Sequence, residues 1–399
     1  MAEAVRDGGH PAAGDAQAAR TERRPVRLAT LGISTTPTCG VRDHAALLAD
    51  GLRRENVTSS MHWLQREQHG LGASRAGISR WTRGLAAELA PQRPQAILLH
   101  YSVFSYSHRG LPLFVHPTLA ALRELELPIV SFLHEFAYPW RAADARGAAW
   151  ALSQRALLIE LMRTSAAAVA TIEERAGWLT SRAWLPSRPV AFAPVFSTLP
   201  APRPEAALQR RGSSVGLFGY SYEGAAMSLV LDALRLAHDR GSPVTLMLLG
   251  APGRDSPAGG AWREAARARG LEEALAFSGR LSAQDLSDAL TACALLLFAD
   301  GPGPTSRKTT LAASLASGSP VIAVDGPRSW PELLQAGAAE VVPATPEALA
   351  AAIGALLADP PRREALAARG RDFAAGSMGV ERSATVLAEL LAQVLRAGG

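Results

Sequence analysis

The sequence predicts an α/β protein of two parallel-sheet domains joined by a proline-rich hinge. Three observations carry this. Short apolar runs alternate with helical segments along most of the chain. The alternation breaks once, over residues 186–212, where prolines crowd and helical spacing is lost. The length, 399 residues, suits two domains of ordinary size.

The elements follow in order. "VRLATLGIS" reads as a buried strand that ends in the turn-rich "TTPTCG", and "VRDHAALLADGLRRE" then puts Ala45, Leu48 and Leu52 on one helical face. "QAILLHYS" and "LPIVSFLHE" are strands separated by the helical "PTLAALRELE". "AWALSQRALLIELMRTSA" is a helix, and "AAVATIEERAGWL" a strand and helix. After the break, "SSVGLFGYS", "VTLMLLG", "ALAFSG", "ALLLFAD", "PVIAVDG" and "AEVVPA" are strands. "AMSLVLDALRLAHDRG", "SAQDLSDALTA", "TLAASLASG", "PEALAAAIGALLAD" and "VERSATVLAELLAQVLRA" are helices. The expected boundaries are a disordered N-terminal extension over 1–25, a first domain over 26–198, a linker over 199–212, a second domain over 213–378 and a last helix over 379–397. In sheets of this kind ligands bind beyond the carboxyl ends of the strands, and a central cleft between two such domains is the expected site.

Composition narrows the function. Hydrophobic residues make up 48% and the formal net charge is +5, which permits an anionic ligand without requiring nucleic acid. No nucleic-acid-binding motif appears. Cys39 and Cys293 stand far apart with no metal-ligand spacing, as expected of thiols in a cytoplasmic protein. The start has no apolar signal segment, and no run approaches the ~20 apolar residues that span a bilayer. "SRAGISRWTRG", 74–84, reads as a solvated basic face rather than a membrane contact.

Several motifs are incomplete. "HEFAY" lacks the second histidine of a zinc-protease helix, so no metal is expected. "GYSYEG" has Glu223 where a nucleophile elbow needs glycine. No dinucleotide fingerprint or Walker loop is present, so no cofactor is expected. "ISTTPTCGVRDHA" sets Gly40 between a strand end and a helix start, which suits either an anion or an ordinary tight turn. Asp43 there is an N-cap or a substrate contact. "VSFLHEFAYPW" puts His134 and Glu135 at a strand end, where they face a ligand or are held in the core. "HYSVFSYSHRG" offers Tyr101, Tyr106 and Arg109 for a substrate-facing loop.

The densest stretch is "FADGPGPTSRKTTLAASLASGSPVIAVDG", 298–326. A strand leaves into a Gly/Pro-rich loop, and Thr305, Ser306, Arg307, Lys308, Thr309 and Thr310 open a helix. Lys308 is the only lysine in a chain whose other basic side chains are arginines. Cations at a helix N-terminus oppose its dipole unless an anion sits there, so the pattern suits a diphosphate.

"SLASGSPVIAVDGPRSWPELL" resembles the "EAMAAGxPVVA…G…E" segment of GT-B glycosyltransferases of the retaining, GT4-like group. "ISTTPTCGVRDHAALLADGL" is similar to their N-terminal glycine loop, and "PVFSTLP", "GLFGYSYEG", "FSGRLSAQDLSDAL" and "PEALAAAIGALLADPPRREAL" follow in the family's order. The resemblance implies two Rossmann-like domains facing a central cleft, with the last helix crossing back onto the first. It also implies metal-independent sugar transfer, with retention, from a nucleotide-sugar co-substrate to an unidentified acceptor. It places Gly40 on the donor diphosphate, which Gly219, Thr305, Ser306, Arg307, Lys308 and Thr309 are expected to hold from the second domain. It puts Gly250, Ser278, Gly279 and Leu281 around the base, and His134 and Glu135 at the reacting centre. Asp43, His44, Tyr101 and Arg109 fall on the acceptor side. The chain departs from the family at its paired glutamates, which fall on Thr305 and Ala313, and at its cations, which fall near Tyr220 and Glu223. Arg307 and Lys308 are the candidates to supply that charge. A non-catalytic nucleotide-binding or auxiliary protein is the alternative, and a nucleotide-sugar epimerase the next.

Overall fold

Strands buried on both faces must be apolar throughout, whereas strands at a sheet edge need not be. The computed structural model shows both kinds. It describes residues 25–36, 39–66, 70–137, 140, 145–209, 211–219, 224–250 and 252–398. Residues 1–24 of the N-terminal extension, and Tyr220 and Glu223 with them, lie outside the described residues.

The chain divides into two compact units. The first holds residues through Ala170, Glu174–Ala193 and those from Ser383 onward; the second holds Thr171–Glu173 and Pro194–Arg382. The first unit's strands are β1 (Val26–Ser34), β2 (Val57–Gln65), β3 (Ala96–Ser102), β4 (Ile129–Glu135), β5 (Ala167–Ala170) and β6 (Val190–Phe192). They form one parallel sheet in the order β2-β1-β3-β4-β5-β6. Every residue of β3 is buried, as is the run from Leu28 to Ser34 in β1. The polar β2 and the three-residue β6 are the edges, which is why neither shows as an apolar run.

Helix α1 (Gly40–Arg53) turns His44, Ala45, Leu48, Ala49 and Leu52 into the protein. Helices α2 (Leu71–Leu89), α3 (Val115–Arg123) and α4 (Ala145–Thr164) follow, then α5 (Glu173–Thr180). Ala29, Leu31, Ile33, Ile97, Leu99 and Tyr101 pack with Ile78 and Leu85 of α2, Leu119 of α3 and Leu158 and Leu161 of α4 in one apolar core. Arg75, Arg80 and Arg83 of α2 are exposed, so the basic stretch is a solvated helix face. No helix among the described residues is long and apolar enough to cross a membrane.

The second unit repeats the plan with β7 (Arg211–Phe218), β8 (Thr245–Leu249), β9 (Leu275–Gly279), β10 (Cys293–Phe298), β11 (Val321–Val324) and β12 (Glu340–Val342). Their order is β12-β11-β10-β7-β8-β9, again parallel. The helices are α6 (Gly224–Asp239), α7 (Pro257–Arg267), α8 (Ala283–Thr291), α9 (Thr309–Ala316), α10 (Pro331–Ala336), α11 (Pro346–Ala358) and α12 (Pro360–Gly376). The last helix, α13, runs Val380–Ala397, and its Thr385 hydroxyl donates to Glu55 Oε1 at 2.8 Å within the first unit. Strand order in this sheet reverses between β7 and β10, and such a reversal opens a crevice at the strands' carboxyl ends.

Candidate functional site

A cavity of about 280 Å³ lies at that reversal in the second unit. Gly219, just past β7, and Phe298 and Asp300, at and beyond the end of β10, form one side; Arg307, Lys308, Thr309 and Thr310 form the other. Gly219 has φ +73°, and a Cβ there would stand 3.1 Å from Thr310 Cγ2, so both conformation and space favour glycine. Lys308 is the N-cap of α9, with no side-chain capping bond, and Thr309 begins the helix. The N–H groups of this first turn have no partners within the helix, and its dipole favours negative charge.

The lone lysine already has an anion. Its Nζ lies 2.8 Å from Asp300 Oδ2. That contact is close in distance but off the direction a hydrogen bond needs, because Oδ2 is buried without a hydrogen-bond partner. Arg307 is half-buried beside it. Burial, with the Arg328 guanidinium as a second cause, holds Arg307 below the usual arginine range. The guanidinium stays charged, so this shift marks a partly desolvated region of positive potential. Two loops shape the rim. A Cβ on Gly326 would fall 2.4 Å from Gly303 N, so the 300–304 and 325–330 segments abut backbone to backbone.

Ser306 does not reach the cavity. Its hydroxyl donates to Thr171 O at 2.8 Å and its carbonyl accepts from Val195 N at 2.9 Å, so it fastens α9's lead-in to neighbouring loops. Thr305 is 1% exposed and its Oγ1 has no hydrogen-bond partner; Ala313, within α9, is 4% exposed. Neither position of the family's glutamate pair presents a side chain to solvent.

Of the residues expected around a base, Ser278 and Gly279 lie at a second opening, of about 560 Å³, past β8 and β9, and Gly250 does not line it. Gly253, Arg254, Phe277, Ser278 and Gly279 line it. Gly250 N–H donates to Ser278 Oγ, which donates to Gly279 O, and this pins the two strand ends together. Leu281 is half-buried and does not line the opening.

In the first unit the expected residues part company. Gly40 opens α1 and a Cβ there would meet nothing, so packing does not require glycine. Asp43 is not the N-cap: the helix starts three residues earlier, Cys39 holds that position, and Asp43 stands exposed in the first turn. His44 is buried instead of facing an acceptor, because it shares the inward face of α1 with Leu48 and Leu52. Tyr101 and Tyr106 are also buried and stack on each other at 5.2 Å, since Tyr101 belongs to β3 and not to a loop. Burial pushes both phenols up. Arg109 is exposed at φ +51°. Glu135 is bound by Arg175 Nη1 at 3.0 Å. His134 is half-buried; Nδ1 of His100 lies 3.0 Å from its Nε2, and burial lowers its pKa to about 3.

Asp300 and Phe298 were not singled out in the sequence, although "FAD" at a strand end was a usable signal. His100 was missed altogether, because a histidine inside an apolar strand carries no local mark.

The family model described as glycosyl transferases group 1 matches residues 213–359. No curated protein matches the chain by sequence. Solved structures do. Sucrose-phosphate synthase from Thermosynechococcus elongatus superposes with a TM-score of 0.68 at 14% identity, covering 93% of this chain and 100% of its own. HepE from Anabaena, solved in complex with UDP-glucose, gives 0.67 at 15%, covering 92% and 99%. A glycosyltransferase from Rickettsia africae gives 0.66 at 10%, covering 94% and 99%. At these identities the likeness shows the fold, two six-stranded parallel sheets with flanking helices, which is GT-B.

Proposed function

We propose that this GT-B chain, whose residues 213–359 form a glycosyl transferases group 1 domain, moves a sugar from a nucleotide-sugar donor to an acceptor with retention of configuration. The reading is GT4-like. It draws support from one observation above all: the β7/β10 cavity joins two cations to the N-terminus of α9. In the proposed reaction the bond from the sugar's C1 to the diphosphate oxygen breaks, the acceptor oxygen takes its place on the same face, and the acceptor's proton passes to the departing diphosphate or to solvent. The charge left on the diphosphate is met by the Arg307 fork, the Lys308 ammonium and the first-turn N–H groups. These contacts strengthen as the charge grows, which is what lowers a barrier. The transfer is therefore proposed to be metal-independent, the cations standing where a metal would otherwise be needed. The base is proposed to occupy the opening at Gly253 and Gly279. A cytoplasmic setting belongs to the same reading, since neither Cys39 nor Cys293 is in a disulfide.

A specific observation favours the second reading, a non-catalytic binder: the buried Thr305 and Ala313 stand where relatives of this type carry a glutamate pair. A thermal-shift screen against UDP, GDP, ADP and dTDP and their sugars tests binding, because a ligand of the folded state raises Tm by mass action. The proposal expects one nucleotide to raise Tm and its sugar to be turned over. Absence of any shift would refute both readings, and a shift without turnover would favour the second.

A further inference from the structure

The helix layer on one face of the first sheet is uneven. α2 has 19 residues and α4 has 20, but α3, packed against both, has nine. At 1.5 Å per residue α3 spans only about 14 Å, half the length of its neighbours. Its inward face carries Val115, Thr118, Leu119 and Leu122. Its outward face carries Pro117, Ala120 and Ala121, which are too small to fill the space above them. Ile78 of α2, Leu157 of α4 and the Leu111–Phe114 lead-in to α3 close the sides of a cavity of about 790 Å³. Small-molecule sites have this size and this apolar lining, and they form between helices.

Charge distinguishes the two ends of the cavity. Arg75 and Arg83 stand on it from α2, roughly 12 Å apart along the helix. Neither has a carboxylate partner among the described residues, and Arg83 donates only to Ser79 O of its own helix. His116, also on the lining, is spent on Glu160 at 2.9 Å. Glu124 is the one acid on the lining, and it caps the far end of α3. α2 and α3 both return from the carboxyl ends of parallel strands, so they run the same way and Glu124 falls at the Arg83 end.

The Arg75 end has no acid on its lining and a second cation behind it. Arg66, just past β2, is 7% exposed. Its Nη1 donates to Ser74 Oγ at 3.1 Å and its Nη2 to Ser107 O at 3.0 Å, and its guanidinium lies 4.9 Å from the centre of the Phe114 ring. Its Nε has no hydrogen-bond partner, and no carboxylate pairs with it among the described residues. A buried guanidinium stays charged, and leaving that charge without a counter-ion is costly. Phe114 lines the cavity and Ser74 precedes Arg75, so the uncompensated charge acts on this end. The first turn of α2, at the same end, carries no acidic residue, and its dipole adds to the positive potential.

We propose that this cavity binds a free single-chain amphiphile with an anionic head, a long-chain carboxylate foremost, its head on Arg75 and its chain over Pro117, Ala120 and Ala121. The apolar floor gives a purely polar anion nothing to bury, and the arginines repel a cationic head. The site lies within the first unit and does not rest on the transferase reading.

Isothermal titration with dodecanoate and octanoate, below their micelle concentrations, tests this. The expected result is one saturable site with dodecanoate bound at least about tenfold more tightly, since each buried CH₂ multiplies affinity about fourfold. Dodecyltrimethylammonium, with the same chain and the opposite head, should bind at least about tenfold more weakly than dodecanoate. Ala120→Phe fills the floor and should abolish dodecanoate binding. Arg75→Ala should weaken it about fivefold, the worth of one exposed ion pair. Arg80→Ala, exposed on the same helix but off the cavity, should bind as wild type. Circular dichroism checks folding, and Arg75→Ala, a surface change, carries the test if Ala120→Phe does not fold. Wild-type protein without saturable dodecanoate binding up to about 1 mM overturns the proposal. So does equal binding of the two heads, or undiminished binding by either folded variant. Sedimentation with phosphatidylglycerol vesicles, without uptake of dodecanoate, would make this face a membrane contact and overturn it as well.

Discussion

Lys308→Ala removes the ammonium that lies 2.8 Å from Asp300 Oδ2 at the mouth of the β7/β10 cavity. Its side chain is 31% exposed, so solvent screens part of its effect. A hydrogen bond to a charged group is worth about 1.5–3 kcal/mol, and the lower end fits this exposure. The substitution also leaves the Asp300 carboxylate, 15% exposed, uncompensated beside the incoming diphosphate. At an effective dielectric near 20 that repulsion adds about 1 kcal/mol once screened. The sum, about 1.5–2.5 kcal/mol, corresponds to a roughly 10–100-fold loss in kcat/KM and in nucleoside diphosphate affinity. Arg307→Ala should cost at least as much, because its fork grips two oxygens, and Lys308→Arg should recover only part of the loss. Asp300→Asn in the Lys308→Ala background should return the repulsive share, bringing the deficit back toward about tenfold. Isothermal titration with the nucleotide found by thermal shift, and steady-state turnover of its sugar, give the numbers. If folded Lys308→Ala and Arg307→Ala both bind that nucleotide as wild type does, the diphosphate lies elsewhere and the reasoning fails.

Three further outcomes follow from the same geometry. Ser306→Ala should lower stability by about 1–3 kcal/mol through the lost bond to Thr171 O, with nucleotide affinity unchanged; urea unfolding and titration separate the two, and a loss of affinity without a loss of stability would return Ser306 to the donor site. Gly32→Ala would place a Cβ 2.3 Å from two Trp63 ring carbons, so the ring must leave its place near His100 at a cost of about 1–3 kcal/mol; an unchanged Tm would show that the ring yields freely. The protein should lose stability as pH falls below about 6.5, because unfolded histidines take up protons there while folded His134, lowered to about 3 by burial, does not; the slope is up to about 1.4 kcal/mol per pH unit for each such histidine, and urea midpoints that stay level from pH 7.5 to pH 5 would contradict it.

Much of the fold was legible because most strands here are interior. β1, β3, β4 and β10 are almost wholly buried and therefore read as apolar runs. β2 and β6 were not legible, since edge strands keep polar residues or lie within the proline-rich break. α12 was missed because "PPRREALAARGRDFAAG" carries charge on most of its surface. At the candidate site, Arg307 and Lys308 could be read because cations ahead of a small-residue helix contradict its dipole. Asp300 could not be read as their partner, because only the return of α9 against the end of β10 brings them together. His44 was misassigned although its spacing of four from Leu48 and eight from Leu52 already put it on the buried face. The His44–His100–His134 cluster lies beyond any spacing rule: three elements far apart in sequence meet there through the register of β3 and β4 and the packing of α1 on the sheet.

The claim that this chain is a transferase and not a binder is tested most directly by following a bound nucleotide-sugar with it by proton NMR. At saturating donor the account predicts slow release of the sugar even to water, with the first anomer released matching the donor's configuration, and loss of that release in Arg307→Ala. A donor that binds at saturation and stays intact, or a first product of inverted configuration, would contradict it.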